Sequence, residues 1–257
     1  MARAMLACAL WLQGLTEKAL YESEASLGEL RGTDHQLSVC PVLYYGLCRI
    51  APMTGDFATA DRGIARLIEV ASRLDALFWK TVGRFLQGKL MIERREFARG
   101  VAEVRGAFDT CRQMGWRASY QEFKGALAVG LAGLSQLDDA FDAVQEGLEG
   151  FGQREEGERW YVPELLRIKG EVLLLQQPVD GSVSLAEDCF DQAGELAREL
   201  GALFWELRVA LSLARLRLTQ GRNNEARQVL GPVYDRFTEG FGTTDMLSAR
   251  KLLKSLS

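Results

Sequence analysis

Histidine is close to absent from this chain: His35 is the one imidazole in 257 residues. A metal site built on histidine is thereby nearly excluded. Ser-His-Asp chemistry would have to run through His35, beside Thr33-Asp34 at an expected helix start, where a capping or surface role fits better. The five cysteines, Cys8, Cys40, Cys48, Cys111 and Cys189, contain no C-x-x-C pair, and their odd number suits a reducing, cytoplasmic compartment. A cysteine nucleophile would meet the same shortage of a partner base. No apolar run approaches the ~20 residues of a bilayer-spanning helix. A basic surplus is missing too: 31 Lys and Arg stand against 35 Asp and Glu, a net charge of −4. Clusters such as Arg94, Arg95 and Arg99 are interleaved with Glu93 and Glu96, which argues against a sequence-independent grip on nucleic acid. With five prolines and no alternating stretch long enough for a strand, little supports a β fold.

What is present is an internal repeat. Ala76-Leu77-Phe78-Trp79-Lys80 returns as Ala202-Leu203-Phe204-Trp205-Glu206, with a small residue nine positions after each Trp, Gly88 and Ala214. The series Ala7, Gly46, Gly88, Ala128, Gly170 and Ala214 advances by 39, 42, 40, 42 and 44 positions. A second small residue follows 12 positions later in five units: Ala19, Ala58, Gly100, Ala140 and Ala226. In the fifth unit the insertion Gln177-Pro178-Val179-Asp180-Gly181-Ser182 moves it to Ala186. Such a period predicts two helices per unit, crossing at the small residues, where backbones approach to the short end of the ~8–10 Å interaxial range. The expected fold is an all-α solenoid of six antiparallel helix pairs, with a closing helix over Thr244 to Leu256 and one helical-repeat domain over 1–257. The 47% hydrophobic content supplies the continuous core this needs.

Local signals mark the boundaries. Thr33 with Gln36, Ser119 with Glu122, and Ser184 with Glu187 have capping-box spacing. Gly55-Asp56 and Gly221-Arg222-Asn223 punctuate turns, while Gly231-Pro232 either does so or interrupts a helix. Apolar residues around the anchors recur at helical spacing, as in Leu6, Ala9 and Leu10 or Leu127, Val129, Leu131 and Leu134. The first 15 residues carry Arg3 and an apolar run around Cys8 that superficially resembles a secretion signal. The run is too short for one, and it falls in register with the first repeat helix.

Chemical motifs are few. Gly83 to Lys89 matches the G-x4-G-K spacing of a phosphate loop, but Leu90 stands where a Ser or Thr should meet magnesium, and the segment reads as helix interior. Asp138-Asp139 and Glu155-Glu156 are sequence neighbours and point about 100° apart on a helix, so neither forms a matched acid and base. Trp79, Tyr161 and Trp205 recur in register, each nine residues before its anchor, as inter-repeat core aromatics do. No catalytic, cofactor-binding or metal set emerges, and the expectation is a non-enzyme.

The segment Gly157-Glu158-Arg159-Trp160-Tyr161, followed by Glu164 to Glu171 and Ala186-Glu187 through Ala197-Arg198, resembles the C-terminal tetratricopeptide-like region of large bacterial ATPase and adenylate/guanylate-cyclase-like (LuxR-type) signalling regulators. Glu206-Leu207-Arg208, Ser212 to Leu216, Pro232-Val233-Tyr234 and Phe237 to Phe241 share the likeness, which is strongest over 157–256. The resemblance implies an interaction or scaffold arm following ATPase or cyclase modules whose own motifs this chain does not contain. Tetratricopeptide geometry would line a concave face with first-helix positions: Trp11, Leu43, Phe85, Lys89, Arg167, Glu171, Arg208 and Arg215. Arginine forks suit carboxylates and phosphates, so an acidic peptide is the expected partner. Two alternatives stand beside this. The charged residues pair with one another across adjacent helices, or a small-molecule effector fills the groove.

Overall fold

The structure is a computed structural model that describes residues 1–30, 36–116, 119–152, 159–176 and 181–256. Helix dominates and no strand occurs among the described residues. The residues group into two compact units, Met1–Arg117 and Ala118–Ser257.

In the first unit, α1 (Ala2–Leu12) pairs with α2 (Thr16–Glu29), and α3 (Val39–Tyr45) continues through a break into α4 (Leu47–Thr54), which pairs with α5 (Phe57–Arg73). The pair α6 (Leu77–Glu93) and α7 (Phe97–Gln113) completes it. In the second unit, α8 (Tyr120–Gly133) pairs with α9 (Leu137–Gly152), α10 (Val162–Leu175) with α11 (Ser182–Glu199), and α12 (Leu203–Thr219) with α13 (Asn223–Tyr234). The closing helix α14 (Thr244–Ser255) packs on α12 and α13. Six helix pairs and a final helix are thus present as the repeat predicts.

The small residues sit where helices touch. A Cβ on Gly88 would lie 3.0 Å from the Gly100 carbonyl, and one on Gly100 would lie 2.8 Å from the Gly88 carbonyl, so neither position has room for a side chain without a shift. At Gly170 the crossing residue is Phe190, whose ring atoms would stand 2.5–2.9 Å from an added Cβ. Ala7, Ala19, Ala128, Ala140, Ala186, Ala214 and Ala226 are all fully buried. Only the second unit of the repeat departs. There Gly46 breaks the helix, with φ −98° and ψ −107°, and a Cβ on it would overlap Ser23 of α2 rather than meet α5. Ala58 is exposed, and the buried pair is Cys48 with Ala60, still 12 positions apart.

A stricter periodicity lies in the turns. Gly14, Gly55, Arg95, Ser135, Gly181 and Gly221 all have positive φ, and each stands five residues before the buried small residue of its second helix. The reversal therefore fixes the register of the following helix. Glycine adopts this left-handed backbone freely, whereas Arg95 and Ser135 carry a Cβ into it.

First and second helices are buried differently. On α5, Ala60, Gly63, Ile64, Leu67, Val70 and Ala71 form one inward stripe, leaving Arg62, Arg66 and Glu69 outside. α12 is flanked by α10, α11, α13 and α14. It is buried nearly all round, including Trp205 and Leu207 at 0% exposure and the charged Glu206 at 4%. Full burial of one such apolar side chain contributes about 1.5–3 kcal/mol.

Several local expectations change. Ser119 precedes α8 but has φ 58° and makes no side-chain capping bond. Ser184 lies inside α11, which starts at Ser182, and Glu187 instead accepts from Arg217 and Gln220. Thr33, His35, Glu155-Glu156 and Gln177 to Asp180 lie outside the described residues. Asp56 caps α5 by accepting from the Thr59 amide at 3.0 Å. Pro232 sits within α13 and does not end it. On α1, Leu6 and Ala9 face outward, and the buried face is Ala4, Ala7 and Trp11. Among the described residues no helix is long and apolar enough to cross a membrane.

Candidate functional site

Three of the eight expected surface residues come together in the second unit, joined by three that the expectation omitted. Arg167, on α10, donates from Nε and Nη2 to the two oxygens of Glu164 at 2.8 Å each, one turn back on the same helix. Its Nη1 reaches Glu171 and Ser212 at 3.3 Å each, and the Ser212 hydroxyl donates to Glu171 at 2.5 Å. Arg208, on α12, pairs with Glu164 at 3.2 Å and with Asp245 of α14 at 3.8 Å. Glu164 therefore holds two guanidiniums while only 3% exposed.

The electrostatics are those of a closed set. Burial works against the Arg167 charge, but Glu164, then Glu171 and Asp245, outweigh it and raise its pKa above the usual arginine range. Two guanidiniums meet three carboxylates, so the cluster holds its cations firmly and leaves no surplus positive charge. The i,i+3 and i,i+4 spacing of Glu164, Arg167 and Glu171 is visible in the sequence. The links to Ser212 and Asp245 depend on tertiary packing.

The remaining expected residues divide sharply. Trp11, Leu43 and Phe85 are 0–1% exposed and present no surface to a partner. Lys89 is 6% exposed. On α3 and α6 neighbours cover more than one side, so Leu43, Phe85 and Lys89 are packing positions, while Trp11 lies on the one buried face of α1 with Ala4 and Ala7. Arg215 is exposed on α12, one turn beyond Ser212, and lies outside the ion-pair cluster.

The other sequence motifs fall into the frame. Gly83 to Lys89 is the interior of α6, with no strand before it. Asp138 accepts from Gln176 at 3.2 Å in the first turn of α9. Trp205 and Tyr161 are buried with ring centroids 5.7 Å apart, and the Trp205 indole N–H donates to the Trp160 carbonyl at 2.7 Å. Trp79 is half-buried beside Phe78 and Tyr44. In the first unit Arg49, 4% exposed, donates to the Tyr44 hydroxyl at 2.7 Å, and its guanidinium lies 4.6 Å from the Tyr44 ring centre.

All five cysteines are free thiols, and burial pushes Cys48 up to about 12 and Cys111 up to about 11. Cys40 is raised for the same reason, and Cys189 is raised by burial against the opposing pull of Lys169. Groups held in the thiol form are poor nucleophiles and poor ligands. No cluster of His, Cys, Asp or Glu suited to a metal ion occurs among the described residues. Comparison with protein-family models finds no match, and comparison with curated proteins finds no relative.

Proposed function

We propose that this chain is a non-catalytic protein-interaction and scaffold domain of a bacterial signalling or transcriptional regulator, built from tetratricopeptide-type helix pairs and working in the cytoplasm. The observation that carries this reading is the division of labour among its arginines. Arg167 and Arg208 are tied to carboxylates, while Arg215 stands exposed on the same helix as Arg208, seven residues or two turns along. Arg215 is thus the guanidinium that a carboxylate of an acidic peptide or of a chain terminus would meet, on a helix that the ionic cluster holds in place. ATPase or cyclase modules of the resembled regulators are partners of the same reading. The exposed Met5 and Leu6 of α1, at 55% and 48%, are apolar surface of the kind another protein covers.

Charge reversal separates recognition from packing. Arg215→Glu is expected to weaken binding of a fluorescent hexaglutamate peptide at least tenfold while leaving the melting temperature unchanged. Arg208→Glu is expected to lower the melting temperature. Unchanged peptide affinity in Arg215→Glu, measured by anisotropy, would remove the basis for this surface.

A further inference from the structure

A cleft of about 390 Å³ opens between α11, α12 and α13, on helix faces distinct from the Arg215 edge. Its floor is apolar, formed by Phe190, Val209, Leu213 and Val229. One end is closed by Glu206, 4% exposed, which accepts from both Nη atoms of Arg236 at 3.0 and 2.6 Å. That ion pair is internally neutral. Two further charged residues on the α11 wall have no ion-pair partner among the described residues: Asp191 and Arg198.

We propose that this cleft binds a short apolar peptide with free termini, its ammonium on Asp191, its carboxylate on Arg198 and its side chains on the apolar floor. Seven residues of helix at 1.5 Å per residue set the two Cα atoms ~10 Å apart along α11, and the Arg198 side chain, folded back toward Gly194, brings the two charges closer than that. Two or three extended residues cover that range. Arg198 folds back along the cleft: a Cβ built on Gly194 would lie 4.0 Å from its Nη1 and 3.7 Å from Val209. Burial, together with Glu187, Asp188 and Glu195 nearby, raises the Asp191 carboxyl pKa against the opposing pull of Arg217, so a further cation would be favoured there.

A purely apolar ligand would leave Asp191 and Arg198 without new partners. A simple carboxylate would use only one of them.

Calorimetric titration of the full chain with trileucine tests the assignment, with N-acetylated, C-amidated trileucine as control. Trileucine is expected to bind with Kd below about 1 mM, the blocked peptide at least tenfold more weakly. Arg198→Gln and Asp191→Asn, both at exposed positions, are each expected to weaken trileucine at least tenfold without moving the melting temperature. Gly194→Leu, which fills the cleft, is expected to abolish binding. No heat with trileucine overturns the proposal, as does equal affinity for the blocked peptide or undiminished binding in both charge variants.

Discussion

Phe85 and Arg167 occupy the same place in their repeats, three residues before the small anchors Gly88 and Gly170, and both are buried. The first unit fills the position with an apolar ring. The second fills it with a guanidinium and surrounds that with Glu164, Glu171 and Ser212. Even where the first unit buries a cation, at Arg49, it meets it with tyrosine rings and a phenol. A buried repeat position thus accepts opposite chemistries, provided each brings its own complement from the adjacent helices.

The largest effects should come from removing one partner. Phe85→Ala creates a cavity and is expected to cost about 3–5 kcal/mol. Arg167→Ala leaves Glu164 buried with Arg208 as its ion-pair partner and is expected to cost about 3 kcal/mol, the low end for breaking a buried pair. Replacing the pair together, Arg167→Met with Glu164→Leu, should restore most of that loss. Urea unfolding measures all three. A double variant no more stable than Arg167→Ala would show that the charges do more than fill space.

Acid should separate the units' carboxylates next. Hydrogen bonds from Gln220 and Arg217 outweigh burial and hold Glu187 below its ordinary 4.5. Its contribution is therefore fully present above pH 4.5 and is lost as pH falls through the depressed folded value. Asp56 in the first unit has the same sign, set chiefly by its hydrogen bond with Thr59. Glu187→Gln is expected to flatten the acid limb of the melting curve and to lower stability at neutral pH. Asp56→Asn should flatten it while keeping neutral stability, because asparagine also caps helices. A parallel response of the two variants at neutral pH would erase this distinction.

The smallest expected effect is a gain. Arg95→Gly relieves a side chain held at φ 64° and should stabilise the first unit by up to about 1 kcal/mol, whereas Gly55→Arg, at the equivalent turn, should cost a similar amount.

These contrasts also explain what the sequence disclosed. Helix pairing was legible because Gly88 with Gly100 and Ala214 with Ala226 mark crossings that only small residues satisfy. The register around Gly46 was not, since the same residue type that permits close packing also permits a break. Arg95 and Ser135 concealed turns of the kind that Gly55 and Gly221 announced, because their left-handed backbone has no signature in residue type. The arginines of the second unit were found by spacing, but their partners Ser212 and Asp245 lie 45 and 78 residues from Arg167 and meet it only through stacking of α10, α12 and α14. Burial of Leu43 and Phe85 was missed for a related reason: amphipathic reading assumes one covered side, and α3 and α6 have several, whereas Trp11 was missed because the single buried face of α1 runs through it and not through Leu6 and Ala9.

The sheltered thiols give each half a built-in clock. Cys48 in the first unit and Cys189 in the second are buried and held in the unreactive form, so a thiol reagent must wait for the surrounding helices to part. Labelling rates at the two sulfurs would report separately how often each half breathes.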